Sequence, residues 1–184
     1  MVRKSTKDIL AESFLELAKT NRIDKIRISD ITGNCGMSQP TFYNHFKDKY
    51  DLIVWIYVND VRTIMAQIGN GSHSWREILV ACAEYYAENK DFVLNALKHT
   101  SGHDAFLFRV QKINIDYLVA VVREKLMTEE ISDEIMGIIK VYVYGTVSFM
   151  LEWLLGNLRL SPEQVADIWE KSLPQALKQY FDAE

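Results

Sequence analysis

Apolar residues along this chain recur at intervals of three and four, the period of an α-helix, and no stretch alternates as a strand would. The first run is Ile9, Leu10, Phe14, Leu17 and Ala18, opened by the capping-box pair Ser5 and Asp8 and reaching about Thr20. Asn21 to Arg27 reads as polar and turn-like. Ile28, Ile31 and Cys35 then mark a short second helix with Ser29 and Asp30 at its start. Gly36 can take the left-handed conformation that ends a helix, Ser38 is a good N-cap for the next one, and Pro40 sits in a first turn where its missing N–H costs nothing. Phe42 and Phe46, four apart, anchor one face of that third helix.

Further on, the punctuation is clear. Residues 50–68 form one long amphipathic segment closed by Gly69-Asn70-Gly71, and Ser74-Trp75-Arg76-Glu77 is a capping box that opens a helix to about Glu88. A short helix is expected over 90–98, broken by residues 99–103, and Asp104 caps a long helix to about Met127. Another runs from about Ser132 to Leu155, where Gly156 ends it. Ser161-Pro162-Glu163-Gln164 starts the last, which Pro174 should interrupt near Ser172. The fold class is all-α: a three-helix N-terminal head over residues 1–49 and a helical body over 50–184.

Helix, short helix, tight turn, helix is the layout of a helix-turn-helix, which reads DNA with its last helix. Opposite Phe42 and Phe46, that helix carries Pro40, Thr41 and Asn44, flanked by Gln39 and Tyr43 on one side and His45 on the other. Short polar side chains, an amide, a phenol and an imidazole suit base edges and phosphates. Taken singly, Tyr43 and His45 are equally compatible with half-buried helix positions.

Three segments resemble the TetR family of bacterial transcription regulators, most strongly between about Ile9 and Ile53. They are Ile28-Ser29-Asp30-Ile31, the run from Met37 to Phe46, and Lys47-Asp48-Lys49-Tyr50-Asp51-Leu52-Ile53. A Tyr-x-His-Phe-x-x-Lys pattern following Ser-x-x-Thr is specific, whereas a bare helix-turn-helix is not. The resemblance implies that Gln39, Pro40 and Thr41 approach base edges and that Tyr43, His45 and Lys49 bind phosphate. It also implies that Ser29 assists, and it puts Ser38 and Asn44 on the same DNA-binding face. The departures are Gly33 inside the second helix and Cys35 where the family usually has a small apolar residue. The stretch from Tyr144 to Leu155, followed by Ser161-Pro162-Glu163, is loosely similar to a C-terminal subgroup of the family that includes regulators like the dihydroxyacetone kinase activators of lactic acid bacteria.

Charge supports a nucleic-acid partner once it is divided. The net charge is −4, but residues 1–49 carry nine Lys and Arg against six Asp and Glu, while residues 50–184 carry twelve against nineteen. Arg3, Lys4 and Lys7 form a short basic arm, equally readable as a phosphate-tracking element or as a solvated terminus. Cys35 and Cys82 are too few for a disulfide framework or a zinc site, and with no signal peptide a cytoplasmic location is expected. His99 and His103, with Asp104 adjacent, have metal-pair spacing, but Ser101-Gly102 interrupts the helix they would need, so no metal or other cofactor is expected. No catalytic constellation stands at recognisable spacing, and the chain is expected not to be an enzyme.

The stretch from Ile135 to Leu155 is the most apolar in the chain and long enough to cross a membrane, yet Lys140 and Glu152 lie inside it. Burial against neighbours on one face and a second subunit on the other explains it better. In the resembled family the last two long helices pair with their copies as a four-helix bundle, which implies a homodimer on a palindromic operator of double-stranded DNA. The expected activity is that of a repressor relieved by a small-molecule effector of unspecified identity, with Trp55, Phe92, Tyr117 and Trp153 as candidate pocket residues. The alternative is a DNA-binding adaptor or activator controlled by a partner protein. A cavity of a few hundred Å³ among the C-terminal helices would favour the ligand, and a filled core the partner.

Overall fold

The computed structural model describes residues 4–65, 74–100 and 105–181, and among these it contains ten α-helices, one 3-10 turn and no strand. Arg3 of the basic arm, the Gly69-Asn70-Gly71 break, and His103 with Asp104 lie outside the described residues. Backbone packing divides the chain into two compact units, Met1–Asn59 with Asp91–Leu107, and Asp60–Lys90 with Phe108–Glu184.

The first unit holds α1 (Thr6–Ala18), the 3-10 turn Ile23–Lys25, α2 (Ile28–Asn34), α3 (Gln39–Tyr43), the first part of α4 (Lys49–Met65) and nearly all of α6 (Lys90–His99). Its capping follows the sequence. The Ser5 hydroxyl accepts from the Asp8 backbone N–H at 3.2 Å, and the Asp8 carboxylate accepts from the Ser5 N–H at 2.9 Å. That carboxylate is held below the usual range by its bonds to the Ser5 hydroxyl and backbone N–H. The Asn21 to Arg27 stretch is not the plain polar turn it reads as, because Ile23 and Ile26 are buried. A single 3-10 turn lets two apolar residues reach the core from a segment too short for periodicity to reveal.

The first unit also takes in residues beyond 49. Leu52, Ile53, Ile56 and Tyr57 of α4 are buried in this unit, and an edge-to-face chain runs from Phe14 to Phe92 (6.4 Å), Phe106 (6.2 Å) and Tyr57 (5.5 Å). Asn95 of α6 fastens the end of α1: its Nδ2 donates to the carbonyls of Ala18 and Asn21, both at 2.9 Å, and its Oδ1 accepts from the Ile23 N–H at 3.1 Å. One amide thereby satisfies three backbone groups that a helix terminus leaves open.

The second unit contains the end of α4, α5 (Trp75–Glu88), most of α7 (Phe106–Leu126), α8 (Asp133–Leu154), α9 (Pro162–Lys171) and α10 (Gln175–Phe181). Ser74, Ser132 and Ser161 are N-caps, and Gly156 ends α8 at φ +85°. Pro174 separates α9 from α10, as its lost N–H requires. Packing of α5 against α9 joins Tyr86 to Trp169 (6.4 Å, edge-on), and Arg76 is paired with Asp167. The Tyr142 hydroxyl of α8 donates to the Trp169 carbonyl at 2.9 Å in the buried interior.

Within this unit Tyr85 donates to the half-buried Asp60 carboxylate at 3.3 Å, and burial raises the Asp60 pKa above 3.8 despite that bond. A raised folded-state pKa means that ionising Asp60 costs stability, and the cost is present above the folded pKa and disappears below the ordinary value. Asp60→Asn keeps an acceptor for Tyr85 and should stabilise at pH 7 by up to about 1 kcal/mol. Thermal unfolding at pH 7 and near pH 4 checks it; a gain that does not shrink at the lower pH would refute the assignment to charge.

Candidate nucleic-acid interface

The turn between α2 and α3 is built as its residues suggest. Gly36 has φ +69°, a conformation costly for residues with a Cβ, and the Met37 N–H reaches back to the Thr32 carbonyl at 2.8 Å. The Ser38 hydroxyl caps α3 by accepting from the Thr41 N–H at 3.2 Å and also meets the Thr41 hydroxyl at 2.8 Å. Beneath α3, Phe42 and Phe46 are buried with ring centroids 5.7 Å apart, and Phe46 meets Trp55 at 5.8 Å. The Ser13 hydroxyl, itself buried, donates to the Ile31 carbonyl at 2.7 Å and ties α2 to α1.

The outer face is open. Ser29, Ser38, Gln39, Pro40, Tyr43, Asn44 and His45 are all exposed, and Thr41 is half-buried. Tyr43 is 56 % exposed, which removes the half-buried alternative for this phenol, and its ring is braced edge-on against Phe42 at 5.7 Å. The polar groups are unequal, however. The Ser38 and Thr41 hydroxyls are engaged with each other, leaving the Thr41 methyl as its free contact group, whereas the Gln39 and Asn44 amides and the His45 imidazole make no side-chain hydrogen bond among the described residues.

Lys49 departs from the expected phosphate contact. Its Nζ donates to the carbonyls of Ile23, Asp24 and Ile26, each at 2.9 Å, which uses all three donors of an ammonium group. Burial pulls its pKa below the ordinary lysine value, against the opposing pull of Asp24 and Asp30. The reason is the buried 3-10 turn, whose carbonyls need a donor and find one at the start of α4. Lys47, two residues earlier, is the exposed cation beside His45. It stands inside the Tyr-x-His-Phe-x-x-Lys motif, and the sequence signal that separates the two lysines, the turn at Ile23–Lys25, is weak. Lys4 is paired with Glu12 at 2.6 Å, and Lys7 lies over the Phe46 ring at 5.5 Å.

The second unit contains a cavity of about 60 Å³ lined by α4, α5, α7, α8 and α9, with an apolar wall that includes Val61, Leu79, Leu118, Val147 and Met150. None of Trp55, Phe92, Tyr117 and Trp153 lines it. Trp55 and Phe92 pack in the first unit, and the Trp153 indole donates to the Leu160 carbonyl at 2.9 Å. Aromatic content alone did not separate core from cavity. The lining instead takes Trp75 and Trp169, whose buried indole N–H groups have no partner among the described residues. Each such donor costs about 1–3 kcal/mol while unpaired. Cys82 also lines the cavity, and burial pushes its thiol up to about 12, which makes it unreactive at neutral pH. Among the described residues no cluster of His, Cys, Asp and Glu suits a metal ion.

Comparison with known proteins places this architecture. Over 87 residues the chain is 30% identical to the HTH-type dhaKLM operon transcriptional activator DhaS of Lactococcus lactis subsp. lactis (strain IL1403), a match that covers 47% of this chain and 46% of that protein. The chain thus spans about half the length of this curated relative. Among solved structures, the dihydroxyacetone kinase operon activator DhaS aligns with a TM-score of 0.64 at 21% identity, covering 97% of this chain and 98% of that one. A TetR transcriptional regulator from Rhodococcus sp. RHA1 aligns at 0.64 and 15% identity (95% and 97%). Thermus thermophilus FadR, a TetR family repressor solved in complex with lauroyl-CoA, aligns at 0.57 and 14% identity (97% and 96%). At these identities the likenesses bear on the fold. Residues 73–175, more than half of the chain, match the TetR-type family described as transcriptional regulator C-terminal region. With that match over its C-terminal part and an all-α fold shared with solved regulators, the chain belongs to the TetR family of transcriptional regulators.

Proposed function

We propose that this regulator is a cytoplasmic homodimer that reads a palindromic operator with the exposed face of α3, and that it represses until a small-molecule effector occupies the cavity of its second unit. The observation that carries the DNA reading is the capped, Phe-anchored α3 with the turn that follows it, which together expose two amides, a phenol and an imidazole while Phe42 and Phe46 are buried on the other side. Gln39 reads a base edge, with the Pro40 ring and the Thr41 methyl against thymine methyls. Tyr43, His45 and Lys47 hold phosphate, Ser29 and Asn44 contribute at the edges of the face, and Ser38 acts through its cap. The helix α4 begins in the first unit and ends in the second, so it is the covalent route by which occupancy of the cavity reaches the DNA-reading helix.

Binding isotherms at several salt concentrations, on operator and on random DNA, test the division of roles. Gln39→Ala should cost about 1–3 kcal/mol on the operator and relax preference at one position of each half-site. Lys47→Ala should weaken both DNAs alike and flatten the salt dependence by about one unit for each phosphate that is no longer neutralised. If Gln39→Ala changes the salt slope and Lys47→Ala does not, the roles are assigned wrongly.

A second reading, control by a partner protein with activation in place of repression, draws on two observations. The DhaS relative is an activator, and the cavity is well below the few hundred Å³ of a drug-sized site. Operator affinity that no small molecule alters, but that a partner protein raises, would decide for it.

A further inference from the structure

The cavity of the second unit has a chemistry of its own. Among the described residues, the only buried side-chain nitrogen or oxygen atoms without a hydrogen-bond partner are the indole nitrogens of Trp75 and Trp169, and both residues line this one cavity. Trp75 is 8 % exposed and Trp169 5 %. Both rings pack against an aromatic neighbour. Trp75, at the start of α5, lies against Phe181 with centroids 4.7 Å apart, and Trp169 of α9 meets Tyr86 edge-on at 6.4 Å. Trp153 in the same unit shows the ordinary outcome, an indole paired with a backbone carbonyl. Two orphaned donors on the lining residues of one cavity are an arrangement that a bound acceptor resolves.

The lining also excludes classes of ligand. It contains no Lys, Arg, His, Asp or Glu, so a carboxylate, phosphate or ammonium ligand would enter without a counter-charge and lose its hydration. The orphaned groups are donors only, so the ligand must bring acceptor atoms; of the other polar groups in the wall the Tyr142 and Thr146 hydroxyls are bonded to backbone carbonyls and Tyr86 and Asn114 are engaged, and the remainder of the wall is apolar. A volume of about 60 Å³ has room for roughly four to six water-sized groups. The geometry points to a binding site for a small uncharged carbonyl compound, a ketone, aldehyde or ester of about that many non-hydrogen atoms, whose oxygen accepts from the Trp75 and Trp169 indoles. This rests on the reading of the second unit as the effector-sensing part and names the class of effector. At that size affinity in the millimolar range is expected.

The test uses the full-length protein labelled with nitrogen-15, in which the four tryptophans give four indole N–H signals, assigned by Trp→Phe variants taken one at a time. The probes are 2-butanone, cyclopentane of matched size, and acetate. Expected is a saturable downfield shift of the Trp75 and Trp169 signals with 2-butanone, no shift of Trp55 or Trp153, and no downfield shift with cyclopentane or acetate. Trp75→Phe and Trp169→Phe should each weaken 2-butanone about five- to tenfold. An equal response to acetate, a uniform shift of all four signals, or no response up to the solubility limit would each overturn the proposal, and the wild-type titration stands if a variant fails to fold. Operator affinity measured alongside separates the two levels. Binding at both indoles with unchanged operator affinity overturns the effector reading and leaves the site, whereas operator release by a compound that leaves both signals in place overturns the site and leaves the regulator.

Discussion

Replacing Lys49 with methionine should destabilise the first unit by about 2–4 kcal/mol while leaving the salt dependence of DNA binding almost unchanged at temperatures where the variant is folded. The apolar stem is nearly conserved, so the loss falls on three charge-assisted bonds to the carbonyls of Ile23, Asp24 and Ile26. Those carbonyls belong to the turn that carries Ile23 and Ile26 into the core, and without the ammonium they must find water or move. Half-burial of Lys49 keeps the cost below that of a fully enclosed charge. Chemical denaturation together with operator titration at several salt concentrations reads both numbers. A variant of unchanged stability whose salt slope falls by about one unit would show that Lys49 serves DNA and that the carbonyl cage is incidental.

How far the residues announce this molecule depends on whether a signal is local. Ser5, Ser74, Ser132 and Ser161 are N-caps with a hydrogen-bond partner three residues on, so helix starts were legible to within a residue or two. Gly36, Gly156 and Pro174 act through their own backbone and were equally legible. The exposed face of α3 and of the turn after it follows from Phe42 and Phe46, whose burial leaves the opposite side outward. What escaped is whatever depends on distant partners. Asn95 fastens residues more than 70 positions away, Lys49 finds its carbonyls across 23 to 26, and neither has a neighbour in sequence that reveals it. The cavity escaped for the same reason. An aromatic at helical spacing packs, caps or lines a cavity according to what the other helices leave beside it: the Trp153 indole finds a carbonyl, and the Trp169 indole, on the cavity wall, does not.

A charge placed on the outer face of α8 should do more damage to DNA binding than any single change on α3. Only 28% of the most apolar window of α8 is buried within the chain, although the helix has a mean hydropathy of 1.3 there. Val141, Tyr144 and Leu155 are 73, 45 and 42 % exposed, and Gly137, Gly145 and Ser148 lie exposed on the same arc. An added Cβ at Gly137 or Gly145 would meet nothing within 4 Å in the single chain, so the stripe is both apolar and flat enough for a second helix to approach closely. Lys140 and Glu152 are exposed on α8 too, Lys140 beside the stripe and Glu152 in line with it at its C-terminal end, and a bilayer would have to accommodate both charges, whereas a copy of the same helix leaves them at the wet rim of the contact. Val141→Asp changes a side chain with few contacts inside the chain, so the subunit should keep its helicity and lose no more than about 0.5 kcal/mol. In a two-fold dimer the same substitution enters the contact twice, once from each subunit, and each carboxylate loses its water against apolar surface. Sedimentation of the wild type at micromolar concentration should give twice the 21.3 kDa chain mass and of the variant the single mass, with operator affinity falling by at least about 100-fold as the two half-sites cease to be held together. A variant that remains dimeric and binds the operator normally would place the subunit contact on some other surface, and a monomeric wild type that binds its operator tightly would remove the need for one.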